Sequence, residues 1–167
     1  MGMKLTKADI RKIEEEIEYR KVTLRPELLQ NLKTARAQGD LSENFEYTMA
    51  KRINNQNNSR VRYLESIVRT ATIVEDDTPE DEVGLNKAVT VYIEEDDEEE
   101  TYKLVTSIRG DSLSNRISTD SPLGKALLHH RVGDRVKVVV NPTYSYDVVI
   151  RKIEAVEDDL TDGIRQY

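Results

Sequence analysis

The sequence predicts an α+β protein in two parts, an N-terminal antiparallel α-helical coiled-coil hairpin followed by a C-terminal small antiparallel β domain with one short helix. Three observations predict it. Apolar residues recur at helical spacing over two long segments that only a few residues around Gly39 separate. The period then changes to short β-rich runs, and an acidic stretch with a proline, residues 75–82, falls at the change. The expected division is therefore a hairpin over 1–74 with its tip near 38–45, an acidic linker over 75–82, and the β domain over 83–167.

The first segment carries Ile10, Ile13, Ile17, Leu24, Leu28, Leu32 and Ala35, whose steps of three, four and seven fit one helix face. Pro26 falls inside it, which predicts a kink or local irregularity near Arg25. The second segment repeats the pattern at Ala50, Ile53, Asn57, Arg60, Leu64, Ile67 and Ala71, close to a coiled-coil seam. The run Asn54-Asn55-Gln56-Asn57-Asn58-Ser59 has poor helix propensity, and its seam residue Asn57 reads as a device that fixes register. At ~1.5 Å per residue, some 30 residues per arm make a rod of about 45 Å.

Beyond the linker, Ala88–Ile93, Tyr102–Val105, Arg135–Val140 and Tyr146–Ile153 read as strands. Between them Ser121-Pro122-Leu123-Gly124 reads as a helix start, a capping residue with proline at the first helical position. His129 and His130 are adjacent and cannot share one helix face as metal ligands, so positive charge near the helix end is their expected role.

Composition narrows the function. The chain has 167 residues, no Cys and no stretch near the length of a membrane span, which is the expectation for a cytoplasmic protein without disulfide or thiolate-metal chemistry. The formal net charge of −7 argues against a nucleic-acid partner, but the acids are clustered. Residues 75–82 hold six and the run 94–100 holds seven; the other 19 acids face 25 bases. Over residues 31–62, Lys33, Arg36, Lys51, Arg52, Arg60 and Arg62 face only Asp40, Glu43 and Glu46. That is a basic zone with carboxylates gathered at the expected tip, GDLSENFEY.

Two readings of that tip stay open on spacing. Asp40 or Ser42 can cap the second helix, with Asp40 and Glu43 imitating a capping box. Alternatively, the tip of a thin rod delivers two hard carboxylate ligands, a set suited to Mg²⁺ but incomplete unless a second molecule supplies the rest. A self-sufficient metal nuclease fits poorly, because two tip carboxylates leave a metal site open. A prefoldin-like holdase would need an apolar tip, and this one is charged and Asn-rich.

The stretch RPELLQNLKTARAQGDLSENFEY at 25–47, with SPLGKALLHHRVGDRVKV at 121–138, resembles the bacterial GreA/GreB transcript cleavage factors, on the GreA side of that family. The acidic run before TYKLV and the closing YDVVIRKIE fall where the family places similar segments. The resemblance implies an FKBP-like C-terminal domain that grips RNA polymerase, and a coiled coil that enters the polymerase secondary channel to reach a backtracked RNA 3′ end. It implies an auxiliary, not an enzyme, that acts as a monomer without a membrane. Carried over by position, Asp40 and Glu43 are the pair that shares Mg²⁺ with the polymerase active site. Arg36, Lys51, Arg52, Arg60 and Tyr47 are the RNA-facing set, and Ser121, Pro122, Leu123 and Gly124 belong to the docking surface or else form a plain helix start. The intact acidic pair favours a cleavage factor over the family's inhibitory paralogues. The second helix departs from the family, which has glutamines and a glycine near Ile53-Asn54-Asn55-Gln56-Asn57-Asn58.

Overall fold

The computed structural model describes residues 2–39, 44–156 and Ile164. It divides into two compact units, one built on Ile10–Ala71 and the other on Lys4–Asp9 together with the chain from Thr72 onward.

The first unit is helical. Helix α1, Lys7–Glu18, runs into a π-helical segment, Tyr19–Leu24, and then into α2, Arg25–Arg36; α3, Phe45–Thr70, returns as the other arm. The irregularity expected at Pro26 takes a definite form. Proline has no N–H to give, and its ring presses on the carbonyl four residues back. Widening the preceding turn relieves this, so the Arg25 N–H reaches back five residues to the Arg20 carbonyl.

Asn57 meets that widened turn. Its amide donates to the Arg20 carbonyl at 3.2 Å and accepts from the Arg20 guanidinium at 3.0 Å, while Arg25 donates to Asn58 at 3.2 Å. The polar seam residue thus gives the Arg20 carbonyl of the widened turn a second donor, and sets the two arms in one register. Glu16 joins this network. It accepts from Arg20 at 2.8 Å and from Arg60 at 3.0 Å. Burial opposes its charge, but the two guanidinium hydrogen bonds prevail and hold Glu16 below its usual value.

The buried side of α3 is Asn54, Asn57, Arg60, Val61, Leu64 and Ile67. Ile53, expected in the seam, is instead 43% exposed. With Leu28, Ala35, Met49 and Ala50 it lines an open cleft of about 340 Å³ between α2 and α3.

The second unit centres on a five-stranded sheet. Its strands are β3 (Lys87–Ile93), β4 (Glu98–Val105), β5 (Arg116–Ser118), β6 (Arg135–Asn141) and β7 (Tyr144–Ala155), in the order β5-β4-β3-β7-β6. All neighbours are antiparallel except β4 and β5, which pair in parallel. One face packs on helix α4, Pro122–Leu127, around Val89, Val91, Leu104, Leu127, Val138, Val148 and Ile150. A smaller parallel pair, β1 (Lys4–Leu5) with β2 (Thr72–Ile73), belongs to this unit, as does the first turn of α1. Thr6 and Asp9 form the capping box of that helix. Asp9 and Arg109, 1% and 3% exposed, form a buried ion pair, and the Thr106 hydroxyl donates to the same carboxylate at 2.7 Å.

The acidic stretch 75–82 folds onto this unit and does not act as a bare linker. The Lys87 ammonium, only 4% exposed, donates to the Thr78 hydroxyl at 2.8 Å and to the carbonyls of Pro79 at 2.6 Å and Glu82 at 2.8 Å. The Thr78 hydroxyl in turn donates to Asp76 at 2.6 Å. Gly84 admits the close approach, since a Cβ there would lie 2.1 Å from the Thr78 hydroxyl oxygen. One buried cation therefore outweighs the like-charge repulsion that suggested an open linker.

Candidate functional site

The residues around the hairpin tip are set by one asparagine. The N-cap of α3 is Asn44, whose side-chain oxygen accepts from the Tyr47 N–H at 3.0 Å. Its amide nitrogen donates to the Ala35 carbonyl at 2.6 Å, in the last turn of α2. Asn44 therefore satisfies an orphan donor of one helix and an acceptor of the other. This corrects the expected cap, since neither Asp40 nor Ser42 holds the N-cap position. Asp40 and Glu43 themselves lie outside the described residues. With the cap at Asn44, the third helical position is Tyr47, so Asp40 and Glu43 are also out of step for a capping box.

Gly39, at φ +130°, takes the chain out of α2 in a backbone conformation that L side chains rarely adopt. Across the tip, the Arg36 guanidinium stands 5.5 Å from the centre of the Tyr47 ring and donates to its hydroxyl at 3.5 Å. That hydrogen bond pulls the Tyr47 phenol below its usual value, with the positive charges of Arg36 and Lys51 adding to the effect. Tyr47 is thus positioned by Arg36.

Lys51 and Arg52 are exposed on the next turn of α3 and stand where they can meet an anion. Arg60 does not. It is 4% exposed, its guanidinium donates to Glu16, and it lies against the Tyr63 ring at 5.5 Å. The structure removes Arg60 from the RNA-facing set, because facing solvent would strip the half-buried Glu16 of a charged partner. Phe45, which the sequence reading passed over, is 74% exposed at the first helical position.

In the sheet unit, Ser121 caps α4 by accepting from the Gly124 N–H at 3.1 Å, and its hydroxyl donates to the Ser118 carbonyl at 2.6 Å. Gly124 is buried, and a Cβ there would lie 2.0 Å from the Ser118 carbonyl oxygen. Leu123 packs against the core, which leaves Pro122 as the exposed member of the four. The helix-start reading accounts for Ser121, Leu123 and Gly124. Among the described residues, no group of three or more His, Asp or Glu could hold a metal, and no helix is long and apolar enough to cross a membrane.

The described residues thus define a helical-hairpin protein with basic and aromatic side chains near its turn and a separate small sheet unit. Comparison with known proteins gives that class a family. Residues 3–73 match the family model described as transcription elongation factor, N-terminal, and residues 78–155 match that of transcription elongation factor, GreA/GreB, C-term. The transcription elongation factor GreA of Geobacillus kaustophilus is 45% identical over 135 residues, 80% of this chain and 85% of that protein. GreA of Streptococcus gordonii is 40% identical over 151 residues, 90% of this chain and 94% of that protein. Among solved structures, GreA factor homolog 1 (Gfh1) of Thermus thermophilus is similar at 25% identity and a TM-score of 0.43, over 93% of this chain and 100% of that one. The chain belongs to the GreA/GreB family of transcription elongation factors, which are auxiliary transcript cleavage factors and not enzymes themselves.

Proposed function

We propose that the protein binds RNA polymerase as a monomer, passes its hairpin tip into the secondary channel and stimulates the polymerase's own cleavage of RNA whose 3′ end has been extruded by backtracking. Family membership supports the partner and the class of reaction. The single observation that carries the role of the tip is the cap at Asn44. A hairpin that already closes both helices with Asn44 has no need of Asp40 or Glu43 for capping, so those carboxylates are available for chemistry.

Asp and Glu oxygens are hard donors of the kind Mg²⁺ takes, and two of them make an open ligand set that polymerase carboxylates and RNA phosphate complete. Mg²⁺, when bound there, would supply an activated water and offset charge on the scissile phosphate. Asp40 and Glu43 would hold the ion jointly with the polymerase's carboxylates once the tip is seated, and would orient the attacking water. Arg36, Lys51 and Arg52 neutralise phosphates of the extruded strand. The sheet unit supplies the second attachment, with exposed Pro122 on its docking surface, and raises the effective concentration of the tip.

The test is a backtracked complex of the cognate polymerase with labelled RNA. The wild-type factor should release a 3′ fragment, whereas Asp40→Ala and Glu43→Ala should each abolish stimulated cleavage while polymerase binding stays within about twofold, since the lost interactions belong to the transition state. Slowed extension without any cleavage by the wild type would replace this reading with that of a channel-blocking inhibitor.

A further inference from the structure

The aromatic ring at the tip has no structural employment among the described residues. Phe45 is the only Phe of the chain and is 74% exposed at the first position of α3. A phenyl ring there adds nothing to helix propensity, and the N-cap hydrogen bond at Asn44 is made without it. The same tip carries Tyr47, ordered by Arg36, and the exposed cations Lys51 and Arg52. An exposed aromatic face beside cations makes a surface for single-stranded nucleic acid, with the cations tracking the backbone and the ring stacking on bases of any sequence.

We infer that Phe45 is a stacking platform for a base of the extruded RNA, and so a contact that positions the strand at the hairpin. This rests on the cleavage-factor reading above and deepens it. Stacking, unlike hydrogen-bonded readout, accepts every base, so the platform selects for unpaired RNA without selecting sequence.

The experiment compares wild type, Phe45→Ala and Phe45→Trp on complexes backtracked to one register, with transcripts that carry natural bases or an abasic ribose at each extruded position in turn. The readouts are maximal cleavage rate and the factor concentration for half-maximal stimulation, with circular dichroism confirming that each variant is folded. Loss of one base–aromatic stack should raise that concentration about tenfold for Phe45→Ala on natural RNA, and Phe45→Trp should restore it. At one abasic position the wild type should fall to the level of Phe45→Ala, with no further loss in the variant. Equal behaviour of Phe45→Ala and wild type on natural RNA overturns the inference and leaves the cleavage reading intact. Equal weakening on natural and on every abasic transcript overturns it in favour of a contact with the polymerase protein. Absence of cleavage by the wild type removes both readings together.

Discussion

Asn44 serves two helices with one amide, and its replacement should therefore be felt in both arms. Asn44→Ala loses the acceptor for Tyr47 N–H and the donor to the Ala35 carbonyl, so the hairpin should lose about 1–2 kcal/mol. Asn44→Asp keeps the cap but cannot donate, and should fall between Ala and wild type in thermal melts followed by circular dichroism. Equal melting of all three would show that the tip is closed by other residues. This residue marks a limit of the sequence as a guide. Asp40 and Glu43 have the spacing of a capping box, yet the helix begins two residues after Glu43, and nothing in the spacing distinguishes a cap from a displaced imitation of one. Arg60 is the opposite case. Its place in the seam period already marked it as interior, and that reading conflicts with its assignment as an RNA contact; the helical period decides, because Glu16 supplies the countercharge that makes burial tolerable.

The break between α1 and α2 was legible as a proline, but its form was not. A proline predicts trouble for the turn before it, whereas whether that turn kinks or widens depends on a partner that can hold the widened backbone. Here Asn57, 37 residues away, is that partner. Likewise Ile53 read as a seam residue because it is apolar, while the buried side runs through Asn54 and Asn57, which binary patterning counts as polar. The strands were legible where β-branched residues alternate; the Glu98–Glu100 part of β4 and the short β5 were not, since their residues show little strand preference and cross-strand neighbours hold them in place. The polar core of the hairpin also has a pH consequence. Glu16 is held below its ordinary value of 4.5 in the fold, so its contribution is present above about that pH and is lost as pH falls through the lowered value. Wild-type hairpin melting temperature should drop in that acid range more steeply than that of Glu16→Gln, which should start lower and respond less. Parallel curves would place the acid sensitivity elsewhere.

The division of the molecule into two units was plain from the change of period, and its seam was not. Residues before the first long helix contain no strong signal, yet Lys4–Asp9 fold with the sheet, where Asp9 meets Arg109 across 100 residues of sequence. The acidic stretch is likewise held by Lys87. A fragment that begins at Val83 therefore lacks the carboxylate partner of a buried arginine and the carbonyls around a buried ammonium. It should melt well below the sheet unit of the full chain, the loss of one member of a buried pair alone being about 3–5 kcal/mol. A fragment from Thr72 keeps the clasp on Lys87 and should fall between them in calorimetry; a Val83 fragment as stable as the full chain would show that these contacts contribute nothing. The pairing of β1 with β2 carries a further consequence. Because Lys4 pairs with Thr72 and Leu5 with Ile73, the chain departs for the hairpin and comes back through adjacent strands of the same unit. In topological terms the hairpin is an insertion into a sheet domain, with its two crossing points side by side. Such a cassette can be lengthened by matched heptads, shortened or exchanged for a relative's by splicing within that four-residue ladder, so a lineage can remake the tip without renegotiating the fold that carries it.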